Sequence, residues 1–325
     1  MLGQFCSVFR TTEMVRRLFA DQNAFFAGVF DPMYISAGNS TFQKVAGMKL
    51  RAGFQGALGA FSQEAVRQLL GEKVEVVPFT KFEEVFRALT RGKINDAVIP
   101  IENTLAGSVH ENYDHLLHFD VRIIGETNVR IVHHLIAPPG VRFKDIRKVY
   151  SHPVALNQCL RFFARNPKME STPFYDTAGS VKMVMEENGP DAAAIGSEVA
   201  ASIYGGNILR RSIEDDRRNF TRFFLLNAAK RIHLPRQRSN HWKTSLVFTT
   251  RNIPGALFRA LSAFALRDLN LMKIESRPLH GRPWEYLFYL DFLGREDDPR
   301  VQNALRHLGE LADFLRVLGS YPRGN

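Results

Sequence analysis

The chain has 325 residues, 45% of them hydrophobic and 23% charged, proportions that belong to a globular protein and exclude a disordered or fibrous one. At about 100 to 200 residues per domain, two or three units are expected. No apolar run approaches the roughly 20 residues of a membrane helix. The start, Met1-Leu2-Gly3-Gln4-Phe5-Cys6, lacks the basic, apolar and small-residue regions of a secretory signal. Cys6 and Cys159 make neither a disulfide framework nor a metal-type spacing, so a reducing, cytoplasmic setting is expected, with no membrane partner. The net charge is +10. Lys230, Arg231, Arg236, Arg238 and Lys243 fall in one Pro-containing stretch without an acid, which reads as a solvated linker rather than a nucleic-acid surface.

In chain order, residues 1–47 mix isolated phenylalanines with turn residues and keep no sustained period. They read as an extension, either an arm or sequence ahead of a true start at Met48. Over 48–228, short apolar runs (74–78, 97–101, 147–150, 192–195) alternate with helical patterns such as 82–89 and 180–185. That alternation predicts a largely parallel sheet with helices on its faces. The β-rich stretch 121–137, interrupted near Gly125 and Glu126, carries the chain between two lobes, roughly 48–132 with 205–228, and 133–204. A basic linker, 229–242, leads into a final unit over 243–325. Its pattern is strand (245–250), helix (255–267), strand (271–276), strand (286–292), helix (299–311), strand (315–319). This is βαββαβ, a ferredoxin-like unit. The two helices cover one face of its sheet, so association through this unit is expected.

Four loops follow strand-like runs in the α/β region: 56–62, Pro100-Ile101-Glu102-Asn103-Thr104, Ser151-His152-Pro153 with Gln158, and Asn219-Phe220-Thr221-Arg222-Phe223. Gly53, Gly56 and Gly59 are spaced GxxGxxG, and Pro78-Phe79 stand where a dinucleotide fold carries an acid, which argues against a nicotinamide site. The glycine loop opens a helix at Ser62, where free N–H groups suit a carboxylate or simply an ordinary cap. His115 and His118 share a helical face without a third ligand, and the adjacent His133 and His134 face opposite sides of a strand, so no metal is expected.

With these motifs in order, residues 51–322 resemble the prephenate and arogenate dehydratases. Glu102-Asn103-Thr104 is similar to the family's Glu-Asn-Ser segment, Ser151-His152-Pro153 to its Ser-His-Pro motif, Asp176-Thr177-Ala178-Gly179 to its Asp-Thr-Ala-Gly loop, and Thr221-Arg222-Phe223 to its Thr-Arg-Phe signature. Pro254-Gly255-Ala256-Leu257 and Glu275-Ser276-Arg277-Pro278 resemble the two motifs by which the family's ACT domain binds phenylalanine. Val154 and Asn157 depart from the usual Ser-His-Pro-Gln-Ala-Leu, which leaves substrate preference open.

The resemblance implies a two-lobed, periplasmic-binding-protein-like α/β catalytic region with a C-terminal ACT domain. It implies a cofactor-free carbon–oxygen lyase that dehydrates and decarboxylates prephenate, or acts on arogenate, with L-phenylalanine as effector and a homodimer or homotetramer as assembly. The implied catalytic residues are Thr221 as proton donor with Asn103, Glu102, Gln158 and Ser151. Arg222, Phe223, Thr104, Ser62 and Thr177 are the implied substrate contacts, and Gly255, Ala256, Leu257, Glu275, Ser276, Arg277 and Pro278 the effector contacts. Arg222 suits a bidentate carboxylate clamp, or equally a structural ion pair with Glu102 or Asp216. A non-catalytic amino-acid sensor is the alternative from another class, disfavoured because no convincing DNA-reading helix precedes the intact motifs.

Overall fold

A computed structural model describes residues 50–187, 189–229, 241–279, 282 and 284–324. Residues 1–47 and most of the basic linker lie outside the described residues. The described chain divides into two compact units, one from 50 to 229 joined by 321–324, the other from 241 to 320.

The larger unit holds two sheets. In the first lobe β1 (Arg51–Gln55), α1 (Phe61–Leu70), β2 (Glu75–Phe79), α2 (Phe82–Thr90) and β3 (Asp96–Asn103) form a right-reading β/α run. The short β4 (Gly107–Ser108), α3 (His110–His118) and the long β5 (Val121–Arg130) complete it. β1 pairs in parallel with β2 and β3. The chain then crosses to β6 (His134–Ala137), β7 (Lys148–Ser151), α4 (Pro153–Asn157), α5 (Leu160–Arg165), β8 (Glu170–Pro173), α6 (Thr177–Glu187), β9 (Ala192–Gly196), α7 (Glu198–Tyr204) and β10 (Asn207–Arg210). It returns as β11 (Phe220–Ala228). The sheet orders are β2-β1-β3-β11-β5 and β10-β6-β9-β7-β8.

Two details differ from the sequence reading. The break in 121–137 falls at 131–133, between β5 and β6, whereas Gly125 stays inside β5 beside a register shift. β10 pairs antiparallel with β6, so the second lobe extends past 204 and the return crossing follows Arg210. β11 is the strand that matters for the site: inserted antiparallel between β3 and β5, it brings the Thr221 segment against the end of β3. Its alternate residues Phe223 and Leu225 are buried with Val98, Val129 and residues of α1, following the period-two rule for a strand.

The smaller unit contains β12 (Trp242–Thr250), α8 (Ala256–Ala265), β13 (Leu271–Pro278), β14 (Tyr286–Leu293), α9 (Pro299–Leu311) and β15 (Ala312–Pro322). The strand order β13-β14-β12-β15 is the ferredoxin-like arrangement expected from βαββαβ. Leu246, Phe248, Leu290 and Phe292 of the sheet bury against Ala260, Phe264, Val301 and Leu308 of the helices. The unit was expected to run to the chain end; instead, residues from Tyr321 onward belong to the larger unit.

Candidate active site

The end of β3, the start of β11 and the loop after α4 converge on one hydrogen-bonded cluster. Asn103 and Thr221 are directly paired residues of neighbouring strands. The Asn103 side-chain Nδ2 shares its two protons among Thr221 Oγ1 at 2.9 Å, Asn219 Oδ1 at 2.8 Å and the Phe220 carbonyl at 3.1 Å. The Asn103 Oδ1 accepts the amides of Leu105 and Ala106 at 3.0 and 2.8 Å, which fixes which way the carboxamide faces. Because Thr221 Oγ1 accepts the Asn103 bond, its own proton is left to be donated.

The second lobe contributes Gln158, the residue capping the C-terminus of α4. Its Oε1 accepts from Asn219 Nδ2 at 2.8 Å and meets His133 Nε2 at 2.9 Å, while its Nε2 lies 3.4 Å from Asn103 Oδ1. A carbonyl oxygen can only accept, so His133 carries its proton on Nε2. Burial holds the His133 pKa below the usual histidine value, since a buried imidazolium is poorly solvated. The cluster is thus made of neutral donors. Asn219 and His133 went unassigned in the sequence reading. Asn219 was within reach of it, two residues before Thr221, but His133 touches Gln158 only through the fold.

Of the two readings left open for the glycine loop, a carboxylate site or an ordinary cap, the amides follow the second. The Ala57 amide donates to Asp176 Oδ2 at 2.8 Å and the Gly59 amide to Gln63 Oε1 at 2.8 Å, so these two N–H groups are not a free carboxylate cradle. Asp176 Oδ2 also accepts the Gly179 amide at 3.0 Å, tying the loop of the first lobe to the start of α6. Ser197 Oγ donates to the Gly59 carbonyl at 2.6 Å. Gly59 has φ +88°, and a Cβ there would lie 2.6 Å from the Ala200 backbone. Glycine is required because the two lobes approach here.

Several expected site residues lie elsewhere. Along β11 successive side chains alternate faces, so Arg222 points away from Thr221. It meets Glu126 Oε2 at 2.7 Å, Glu102 at 3.8 Å and the Tyr321 hydroxyl at 3.1 Å, and stacks 4.7 Å over the Phe224 ring. Of the clamp and the structural ion pair left open for it, the geometry shows the ion pair, chiefly with Glu126 and more distantly with Glu102; Asp216 pairs with Arg218 instead. Glu102, opposite Arg222 in the register, shares that face and is not in the Thr221 cluster. Ser151 is fully buried and donates to the Ile195 carbonyl at 2.8 Å, which takes its proton for the second sheet. Phe223 is buried in the core, and a core side chain has no surface left for a ligand. The Thr104 hydroxyl is committed to backbone, donating to Arg218 O at 2.8 Å and accepting Phe220 N at 3.0 Å. Ser62 is buried in the first turn of α1, and Thr177 is half-buried at the start of α6. Val154 and Asn157, the departures in the Ser-His-Pro segment, are both exposed on α4 and leave Gln158 in place.

Among the described residues no group of three or more His, Cys, Asp or Glu side chains is placed to hold a metal ion. His115 instead pairs with Glu111 and packs on Phe86, and His118 contacts the Asp114 carbonyl. Burial pushes the Cys159 thiol up, which suppresses the reactive thiolate.

In the smaller unit Gly255 caps α8 with φ +74°, and a Cβ there would meet nothing within 4 Å. Its conformation, rather than crowding within this chain, calls for glycine. Ala256 and Leu257 open the helix, and Glu275 to Pro278 end β13, an edge strand. Glu275 pairs with Lys273 at 3.5 Å. Met272 and Ile274 of that edge, with Phe258 of α8 and Leu266 just after it, are exposed apolar side chains.

The family model for prephenate dehydratase matches residues 52–231, and that for the ACT domain residues 244–310. The chain is 44% identical over 300 residues to "Arogenate dehydratase/prephenate dehydratase 2, chloroplastic" of Arabidopsis thaliana, covering 90% of this chain and 77% of that one. It is 41% identical to "Arogenate dehydratase 2" of Petunia hybrida, over 90% and 76% of the two chains. Among solved structures, prephenate dehydratase from Arthrobacter aurescens in complex with L-Phe superposes with a TM-score of 0.77 at 33% identity, over 84% of this chain and 90% of that one. A chain described as GqqA, a novel type of quorum quenching acylase, superposes with a TM-score of 0.76 at 32% identity, over 84% and 98%.

Proposed function

This chain belongs to the prephenate dehydratase family, a family of carbon–oxygen lyases, and we propose that it converts prephenate to phenylpyruvate under feedback control by phenylalanine. The observation that carries the catalytic assignment is the Thr221 hydroxyl, which accepts from Asn103 and so keeps its own proton for donation. In the reaction the bond from the ring to its carboxylate breaks and its electron pair enters the ring. The ring C–O bond breaks in turn, and the hydroxyl leaves as water with the donated proton. Aromatisation supplies the driving force, so the enzyme needs a placed donor and anchors more than a strong base. Neutral amides of Gln158 and Asn219 orient an anionic substrate at fixed positions, with Asn103 holding Asn219 and Thr221 in place, and need no reorganisation as charge shifts.

Arogenate is the second reading, favoured by the relatives whose names carry that activity. The two substrates differ in a keto against an amino group, and kcat/KM measured for both decides between them: a higher value for arogenate replaces the first reading.

The smaller unit is the proposed phenylalanine site, with Gly255 to Leu257 and Glu275 to Pro278 as contacts at a junction of two copies. The exposed apolar side chains Met272, Ile274, Phe258 and Leu266 support self-association there, as an edge strand with apolar neighbours is a pairing surface. Light scattering expects a dimer or tetramer, and a monomer unchanged by phenylalanine refutes it. No described helix is long and apolar enough to cross a membrane. The cytoplasm is the proposed location on cysteine usage alone, and imaging of the tagged full chain tests it.

A further inference from the structure

The far face of the Thr221 strand is held by the end of the chain. β15 lies beside β12 in the smaller unit's sheet, and from Tyr321 onward the chain belongs to the larger unit. Tyr321 is fully buried, its hydroxyl accepts from Arg222 Nη2 at 3.1 Å, and its ring meets Phe224 edge-on at 5.8 Å. Three residues later the Gly324 amide donates to Glu126 Oε1 at 3.1 Å, while Arg222 takes the other oxygen of that buried carboxylate at 2.7 Å. A Cβ on Gly324 would lie 2.8 Å from the Glu126 carbonyl oxygen, so the docking admits only glycine. The tail thus supplies hydrogen bonds to both members of a buried ion pair whose cation is the immediate neighbour of Thr221.

We propose that Tyr321 is a positioning residue: with Gly324 it holds Arg222, and through the shared backbone Thr221, in the productive place, and loosening of this hold carries the effector's signal. The second half rests on the reading that the smaller unit binds phenylalanine. Covalent continuity makes the coupling physical. A strand whose first part lies in the effector unit's sheet ends in contacts one residue from the proton donor. An effector that favours a different placement of β15 weakens those contacts, and the two strand-end arrangements are the states whose populations shift.

The test compares the full-length wild type with Tyr321→Phe, which removes only the hydroxyl, and Gly324→Val, which expels the tail while leaving Tyr321 intact. Measured are kcat and KM for prephenate and arogenate, each with and without L-phenylalanine, phenylalanine affinity by calorimetry, and amide hydrogen exchange over residues 220–224. A hydrogen bond to a charged group predicts a kcat lower by about tenfold, with KM within about threefold. The variant rate approaches the phenylalanine-saturated wild-type rate, the fold-inhibition moves toward one while phenylalanine still binds, and exchange over 220–224 speeds up. Wild-type kcat, fold-inhibition and exchange in both variants, with or without a lower melting temperature, overturn the proposal. A wild type that turns over but neither binds nor responds to phenylalanine sinks the effector reading alone, and kcat and exchange in the variants still decide the positioning role.

Discussion

Asn103 and Thr221 face each other across two antiparallel strands, and the amide of the first donates to the hydroxyl of the second at 2.9 Å. The direction of that bond decides what the hydroxyl can do: its oxygen is occupied, its proton is available. A positioned donor contributes about 10² to 10⁴ in rate. Thr221→Ala is therefore expected to lower kcat by that order with KM and melting temperature nearly unchanged, and Thr221→Ser to retain most of the activity. A fully active but destabilised alanine variant would assign the hydroxyl to structure.

Arg222 is expected to act on stability. Its side chain is 12% exposed and that of its partner Glu126 3%, and removing one partner of such a pair strands a buried charge at a cost of about 3 to 5 kcal/mol. Arg222→Gln should shift denaturation by that order while KM moves little, and Glu126→Gln added to it should recover part of the loss. An intact fold with a strongly raised KM would restore the substrate clamp.

His133 makes stability depend on pH. Its pKa is held below the ordinary 6.5 by burial, so below pH 6.5 the unfolded chain binds a proton that the folded one does not. Stability rises with pH where the unfolded state binds more protons; it is therefore complete above 6.5 and lost as pH falls toward the folded value. His134 and His152 are shifted the same way by burial and add to the slope. His133→Gln, which keeps a donor for Gln158, should flatten the fall in unfolding free energy between pH 7.5 and 5. An unchanged slope would mean the ring is not held neutral.

Gly255 tests the effector site. A valine at φ +74° is strained, so Gly255→Val should distort the first turn of α8. The expected outcome is loss of phenylalanine binding by calorimetry and, in step with it, of inhibition. A variant that binds and responds as the wild type does removes this turn from the site.

Much of this was present in the sequence because it is local. Strand and helix periods located the elements with a clear apolar pattern, as in 299–311 and 192–195, since a period-two or 3.6-residue apolar pattern already contains the geometry that buries it, but not the short ones at 153–157, 170–173, 198–204 and 207–210. The family resemblance implied that Asn103, Gln158 and Thr221 share a site, and in the fold their side chains lie in one hydrogen-bonded group. What the sequence left undecided depends on which surface comes to lie against which. Arg222 and Glu102 belong to the right strands, but the face that turns to the Gln158 lobe is set by where α1 packs, and alternation then sends both to the other side. Gly59 reads as part of either an anion loop or an ordinary cap until Ala200, far along the chain, is brought against it. His133 is one more strand-flanking histidine until the crossing between lobes sets it 2.9 Å from Gln158. Tyr321 lies just past the last strand read from the sequence, 315–319, and only the docking of the chain end on Arg222 connects it to the Thr221 segment. Local pattern determines elements and their chemistry; partners distant in sequence are chosen by the packing of whole elements, whose energy is summed over many contacts that no single segment contains.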